Sequence, residues 1–201
     1  MILSLMLVRN IYTKMQKLII AISGASGAIY GITALKAAKA LGVETHLIVS
    51  KAAGLALHEE TGLSLNAVHD LADHVYKPAD IGARLASGSF KTMGMLIAPC
   101  SIKTLSEIAT GVTSSLMSRA ADVTLKERRR LVLMVRESPL HLGHLRSMAS
   151  VSEMGAIIAP PVPSFYTRPQ NLQDMVDQTM GRALDLFGLE GEIKRWDGLS
   201  E

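Results

Sequence analysis

The chain has 201 residues, of which 48% are hydrophobic and only 4% aromatic, and its formal net charge is +3. This length and apolar content predict one compact domain with a substantial core. Most of the excess positive charge lies in one stretch, 125–130, which argues against a nucleic-acid-binding surface and favours a small anion as the ligand.

The cysteine content and the first residues of the chain both indicate the cellular compartment. A single cysteine, Cys100, excludes an intrachain disulfide and is typical of a reducing compartment, so we expect a cytoplasmic protein. The apolar start is too short to span a bilayer and lacks the flanks of a signal peptide. We interpret 1–16 as an N-terminal extension and 17–201 as the single domain, without a membrane contact; a start at Met15 would still give the whole domain.

Apolar runs typical of buried strands alternate with helical patterns along the chain. Strands are predicted at 18–23, 44–50, 94–99, 130–136 and 155–160, with a weaker one at 74–77. Helices are predicted at 28–41, 50–60, 101–109, 114–128 and 171–187. The alternation predicts an α/β fold of three layers, Rossmann-like or flavodoxin-like, with helices on both faces of a mostly parallel sheet.

In such a fold, ligands bind beyond the carboxyl ends of the strands, so the residues after each strand are the site candidates. The first of these loops, SGASGA at 23–28, precedes a helix whose free N–H groups attract an anion such as phosphate. Its glycine spacing is not that of a dinucleotide fingerprint, and a plain turn with Ser26 as the N-cap explains the loop alone equally well.

Two further strand ends carry hydroxyl groups at a helix start. They are Ser50 and the segment PCSIKT at 99–104, which contains Ser101 and Thr104. Each alone is typical of an N-cap. Three such ends around one crevice favour a planar ligand that bears a phosphate.

Charged residues on two helices have both a structural and a functional interpretation. Arg119 and Lys126 share a face of helix 114–128, which is typical of a solvated surface. On the last helix, Arg182 is predicted to interrupt an apolar stripe that includes Met175 and Leu186, so it either extends to solvent or clamps a phosphate.

Three other kinds of residue are candidates for reactive groups. Glu60 and Glu137 follow apolar segments and are candidates for ion pairing or proton transfer. Cys100 is predicted to be a packed side chain rather than a nucleophile. His141 and His144 lack a third ligand at a recognisable spacing, so we expect no metal site.

Eight segments in chain order resemble the bacterial flavin prenyltransferases of the UbiX type, part of the FMN-binding flavoprotein superfamily that also includes the cysteine decarboxylases. The segments are SGASGA, VSKAA, ASGS, PCSIKTLSEIATG, RAADVTLKERR, LVLMVRESPLH, FYTRP and RWDGL, and the match runs from about Lys17 to Gly198. So many ordered motifs are far more specific than any one of them.

The resemblance implies an activity and its partners. The protein would transfer a dimethylallyl group from dimethylallyl monophosphate to N5 and C6 of reduced FMN, without a metal. The prenylated FMN would serve a UbiD-type decarboxylase, for example in ubiquinone biosynthesis, and an older label for such proteins is aromatic acid decarboxylase. The resemblance also implies a homododecamer with sites at subunit interfaces.

The resemblance further assigns roles residue by residue. FMN would be held by Gly24, Ala25, Ser26, Ser50, Ser101, Ile102, Lys103, Thr104 and Arg136. The prenyl donor would contact Tyr166, Arg182, Lys126, Arg119, Ser87, Gly88 and Trp196. The catalytic residues would be Ser26, Glu60 and Glu137.

Two other functions remain as alternatives. An FMN-dependent peptidyl-cysteine decarboxylase is disfavoured because ASGS and FYTRP stand where that class has PASANT-like and PxMNxxM segments. A flavodoxin-like electron carrier is disfavoured because Arg119, Lys126, Arg136 and Arg182 provide more positive charge than an FMN phosphate needs.

Overall fold

The computed structural model describes residues 16–198 and confirms the predicted α/β fold. Its strands are β1 (Lys17–Ile22), β2 (Glu44–Val49), β3 (His74–Tyr76), β4 (Gly94–Cys100), β5 (Arg130–Val135) and β6 (Ile157–Ile158). All pairings are parallel, and the order across the sheet is β3-β2-β1-β4-β5-β6. Apart from Gln16, the extension predicted at 1–16, with its possible start at Met15, lies outside the described residues.

Helices cover both faces of the sheet. They are α1 (Ala28–Ala40), α2 (Lys51–Thr61), α3 (Leu65–His69), α4 (Ile102–Thr110), α5 (Leu116–Lys126), α6 (Leu142–Glu153) and α7 (Leu172–Asp185), with 3-10 turns at Arg84–Ala86 and Phe165–Thr167. Within 16–198, no helix is both long and apolar enough to cross a bilayer.

Each central strand is buried on both faces, and its alternate residues enter two separate cores. On β1, Leu18, Ile20 and Ile22 pack in a core with α1 and α7. Ile19 and Ala21 face the other core, with α4 and α5. Burying a large aliphatic side chain contributes about 1.5–3 kcal/mol, so a continuous apolar run is what such a strand requires.

The strand order reverses between β1 and β4, and this switch point is where an open α/β sheet forms its crevice. The weaker strand predicted at 74–77 is confirmed as the edge strand β3. Without β3 the order is that of flavodoxin, and with it the order is that of the Rossmann fold.

Two helices, α3 and α6, were not predicted from the sequence. In α6 only Val151 is fully buried, and the helix packs mainly against α4, with a smaller contact to the edge strand β6. A helix with so little buried surface has no clear apolar stripe, which removes the main signal for predicting it.

The face predicted for the last helix is wrong. α7 buries Val176, Met180 and Leu184, whereas Arg182 lies on its exposed side. Residues at 175, 179, 182 and 186 also have helical spacing, so periodicity alone could not choose between the two faces. Arg182 therefore does not interrupt the buried stripe.

Gly31 allows α1 to approach the sheet closely. A Cβ at this position would lie 2.5 Å from both the Ala98 carbonyl oxygen and Ile22 Cγ1. We expect Gly31→Ala to lower the free energy of unfolding by about 1–3 kcal/mol, as overpacking does. Urea denaturation with Gly54→Ala as the control checks this, because a Cβ at Gly54 meets only Leu65 at 3.7 Å. Equal stability of the two variants would contradict it.

Candidate functional site

Beyond the carboxyl ends of the strands lies a cavity of about 570 Å³. Candidate residues from four separate strand ends line it: Gly24, Ser50, Ser101, Ile102, Lys103, Thr104 and Glu137. The other lining residues were not among the predicted site residues; they are Lys51, Ala52, Leu55, Pro78, Glu107, Ser115 and Met117. The structure thus brings most of the residues predicted for FMN around one space, and Ala25 and Ser26 continue the loop at Gly24.

Ser23 ties the ends of β1 and β4 together. Its hydroxyl donates to the Pro99 carbonyl oxygen at 2.9 Å and accepts the Ser101 N–H at 2.7 Å, and its own N–H also donates to Pro99 at 3.2 Å. The side chain is buried, so these bonds are shielded from water. Sequence reasoning noted Ser23 only as the start of the first loop, although a serine at a central strand end was the available signal.

Two helices begin at the cavity with free N–H groups. Ser50 caps α2 by accepting the Ala53 N–H, and Ser101 caps α4 by accepting the Thr104 N–H, which confirms both predicted N-caps. Neither helix has an acidic residue in its first turn. The remaining N–H groups and the helix dipoles therefore favour an anion here.

The start of α1 differs from the prediction. Gly27, with φ of 106°, is the N-cap and makes no side-chain cap bond, so the prediction of Ser26 as the cap is wrong. Instead, Glu60 Oε2 accepts the Gly27 N–H at 2.8 Å and the Ala28 N–H at 2.9 Å. The anion at this helix N-terminus is the chain's own carboxylate, brought there from the end of α2.

These contacts determine the charge state of Glu60. Burial alone would raise the pKa of Glu60, but the N–H groups of Ala28 and Gly27, with smaller effects from the Ser26 hydroxyl and Arg136, hold it below its usual value. Glu60 is therefore ionised at neutral pH. It links the first loop to α2 and to the end of β5.

Gly24 is required by the close approach of two loops. A Cβ on Gly24 would lie 2.5 Å from the Cβ of Ala52. Any larger residue would separate the first loop from the start of α2, and both line the cavity.

The residues predicted to contact the prenyl donor do not line this cavity within one chain. One group lies near the end of α5, where Gly88 and its neighbour Ser87 approach Lys126, while Arg119 forms an ion pair with Asp122 at 2.6 Å. Lys126 is paired with Glu127. The predicted charged face of α5 is thus solvent-facing and ion-paired.

The second group surrounds the segment 194–196. The Tyr166 and Trp196 rings meet edge to face with centroids 5.6 Å apart, and both are exposed. Arg182 contacts Asp185 at 2.7 Å, and Arg195 binds the same carboxylate through two nitrogens at 2.8 and 3.0 Å. Hydrogen bonding and charge from Arg195 are the main reason why the pKa of Asp185 lies below its usual value.

Cys100 is a packed side chain, as predicted. It is fully buried, and burial raises the pKa of its thiol far above the usual value. A nucleophilic thiolate at this position is therefore not available.

A three-layer fold whose strand ends enclose an anion-favouring cavity defines a nucleotide- or flavin-binding α/β protein. The family model described as Flavoprotein matches residues 9–184. Flavin prenyltransferase UbiX of Escherichia coli K12 is 54% identical over 188 residues, which span 92% of this chain and all of that protein. The chain therefore belongs to the flavoprotein family and, within it, to the flavin prenyltransferases of the UbiX type.

Solved structures agree. AnUbiX, crystallised with FMN and dimethylallyl pyrophosphate, matches with a TM-score of 0.92 and 47% identity over 93% of this chain and all of that one. A dodecameric FMN-dependent UbiX-like decarboxylase from Escherichia coli O157:H7 matches with a TM-score of 0.89 and 46% identity, over 91% of this chain and all of that one. The cysteine decarboxylase TvaF shares the fold alone. Its TM-score is 0.58 and its identity 15%, over 73% of this chain and 90% of that one.

The pairing of Glu60 with the α1 N-terminus predicts a pH-dependent stability. The folded-state pKa is lowered, so the contribution is complete above the usual glutamate pKa of about 4.3 and is lost as pH falls through the folded value. Glu60→Gln should lower the free energy of unfolding by about 0.5–1 kcal/mol at neutral pH. The difference in free energy of unfolding between the variant and the unmodified protein should become smaller in acid. Urea titrations over pH check this against Glu59→Gln, the exposed neighbour; a gap that stayed constant in acid would be inconsistent with it.

Proposed function

We propose that this protein transfers a dimethylallyl group from dimethylallyl monophosphate to N5 and C6 of reduced FMN. The observation that carries the proposal is the cavity at the switch point, where α2 and α4 begin without an acidic residue in the first turn. The membership of the UbiX-type prenyltransferases and the ligands named for AnUbiX support the same reaction.

The FMN phosphate is proposed to bind at the start of α4, on the N–H groups and hydroxyls of 101–104, with Ser50 on the opposite wall. The free N–H groups there suit a phosphate. Gly24, Ala25 and Ser26 are proposed to lie along the flavin, where the glycine leaves room for close contact. Arg136, at the end of β5, would add a cation to this binding set.

The donor phosphate is proposed to bind Arg182, Lys126 and Arg119, with Tyr166, Trp196, Ser87 and Gly88 around the prenyl group. Because these residues lie outside the cavity of their own chain, we propose that a neighbouring subunit contributes some of them, in a homododecamer such as the one described for the relative from Escherichia coli O157:H7. The exposed rings of Tyr166 and Trp196 could then face an allylic cation.

When bound, reduced FMN supplies the nucleophilic N5 and C6 atoms. The carbon–oxygen bond of the donor would break as the bond to N5 forms, and inorganic phosphate would leave with the proton displaced from N5 while arginine and lysine side chains stabilise its charge. Bond formation at C6 would add one proton to the prenyl double bond and remove one proton from C6, so no oxidant or reductant is consumed. No metal is needed for this stabilisation in the proposal.

The structure favours different roles for the two candidate carboxylates. Glu60 already accepts two backbone N–H groups and has a lowered pKa, so it is a weak base but a firm anchor for Ser26. Glu137 lines the cavity and accepts only the Ser138 N–H among the described residues. We therefore assign the removal of the C6 proton to Glu137 and the positioning of the Ser26 loop to Glu60.

The product, prenylated FMN, would be passed to a UbiD-type decarboxylase. The proposed location is the cytoplasm, where a single free cysteine is unexceptional.

FMN binding tests the placement of the phosphate. We expect Ser101→Ala to weaken FMN binding about 10- to 100-fold, because a hydrogen bond to a charged group contributes about 1.5–3 kcal/mol. Ser64→Ala is the matched control, since Ser64 caps α3 in the same way but does not line the cavity. Fluorescence titration measures both; an equal loss in the two variants would point to helix stability instead.

Mass spectrometry of the flavin tests the reaction. With reduced FMN and dimethylallyl monophosphate under anaerobic conditions, the flavin should gain one isoprenyl unit. Arg182→Ala should bind FMN normally yet lose turnover at least about tenfold, which corresponds to 1.4 kcal/mol of transition-state stabilisation. Lys36→Ala, on the exposed side of α1, removes a charge elsewhere and should be unaffected. Unchanged FMN with verified binding would refute the proposed activity.

A further inference from the structure

A buried polar cluster lies at the amino end of the sheet, opposite the cavity. Glu44 and His46 share one face of β2, and His74 is the register partner of His46 on β3. One ligand atom from each of the three side chains lies within 4.8 Å of the others. Glu44 and His46 are buried and His74 is partly exposed.

The atoms of this cluster converge on one carboxylate oxygen. Glu44 Oε1 lies 3.2 Å from His46 Nε2 and 3.0 Å from His74 Nε2. His46 is fully buried, and although Glu44 Oε1 lies 3.2 Å from its Nε2, the two atoms are not aligned for a hydrogen bond, so Nε2 has no hydrogen-bond partner among residues 16–198. A buried nitrogen without a partner is costly unless something binds it.

We propose that Glu44 Oε1 and the Nε2 atoms of His46 and His74 bind one divalent transition-metal ion such as Zn²⁺. Two imidazoles and a carboxylate are a suitable ligand set for this ion, and the partly exposed side of His74 leaves room for water as a fourth ligand. Ligand atoms about 2.0–2.2 Å from one zinc ion lie slightly farther apart than the present separations. Because the two imidazole rings stack nearly parallel, with 13° between their planes, the partly exposed His74 ring must also tilt to direct its Nε2 at the ion.

The surroundings of His46 fix the orientation of its ring. The Tyr76 hydroxyl lies 3.0 Å from Nδ1, and the His46 and His74 rings stack with centroids 4.8 Å apart. With the metal on Nε2, the Nδ1–H group donates to the Tyr76 oxygen. A partner on the second ring nitrogen is the usual support of a metal-bound histidine.

Two cations face the same cluster. Lys17 Nζ is 3.7 Å from Glu44 Oε2, the oxygen not assigned to the metal, and Arg84 lies over the Phe90 ring that meets His46 edge on. They repel a metal ion and should moderate its affinity. Lys17→Met should therefore strengthen metal binding. If the cluster were only a set of ion pairs, the same substitution would remove one pair and weaken the cluster.

The site would have a structural role. It links the three-residue edge strand β3 to β2, and a strand this short is held by few ladder bonds. No sequence motif indicates this site, because its ligands come from two strands that are distant in the chain.

Calorimetric titration of Zn²⁺ into tag-free, chelator-treated full-length protein tests the proposal. One ion per chain should bind, with affinity at least about 10- to 100-fold lower in His74→Ala and about tenfold lower in Tyr76→Phe. His144→Ala is the matched control, since the His141 and His144 rings form the other close histidine pair. No saturable binding, or equal binding by His74→Ala and the unmodified protein, would overturn the proposal.

Should His74→Ala fail to fold, zinc-edge X-ray absorption provides an independent measurement on His144→Ala and on the unmodified protein. Two imidazole ligands per zinc are expected in both. Fewer than two in His144→Ala would refute the site.

Discussion

The hydrogen bonds of Ser23 to Pro99 and Ser101 are the constraint on which the site depends. They join β1 and β4 at the position where the strand order reverses, and the loops that line the cavity start from those two ends. Proline has no N–H to donate to a central strand, and the β4–β5 register shifts at this point, between Ile97 and Cys100. The Pro99 carbonyl accepts both the N–H and the hydroxyl of Ser23, and these two bonds hold the ends of β1 and β4 together.

Three helices begin at this edge of the sheet, and their electrostatic roles differ. The α1 N-terminus is neutralised by Glu60, so a ligand anion gains little there. α2 and α4 are capped by serine hydroxyls, which satisfy one N–H each and add no charge. An incoming phosphate is therefore directed to α2 and α4, and the first loop remains available for the uncharged part of a flavin.

Most of the fold could be predicted from the sequence because the central strands must be apolar on both faces. Site residues that directly follow those strands, such as Ser50 and Ser101, were predictable for the same reason. The role of Glu60 was not, because its partners, Gly27 and Ala28, are some 30 residues away in the chain and only the packing of α2 brings them together. The buried face of α7 was missed because two sets of residues share the same helical spacing.

Three cations proposed to bind the prenyl donor, Arg119, Lys126 and Arg182, are each paired with an acid of their own chain, and this pairing bears on how they could act. Exposed ion pairs contribute little to stability, so releasing Arg182 from Asp185 costs little. Asp185 would not be left alone, because Arg195 holds it through two nitrogens. Arg182 can thus exchange a carboxylate for a phosphate without leaving a charge uncompensated. An arginine with this freedom suits a site completed by another subunit, where the ligand arrives after the chain has folded.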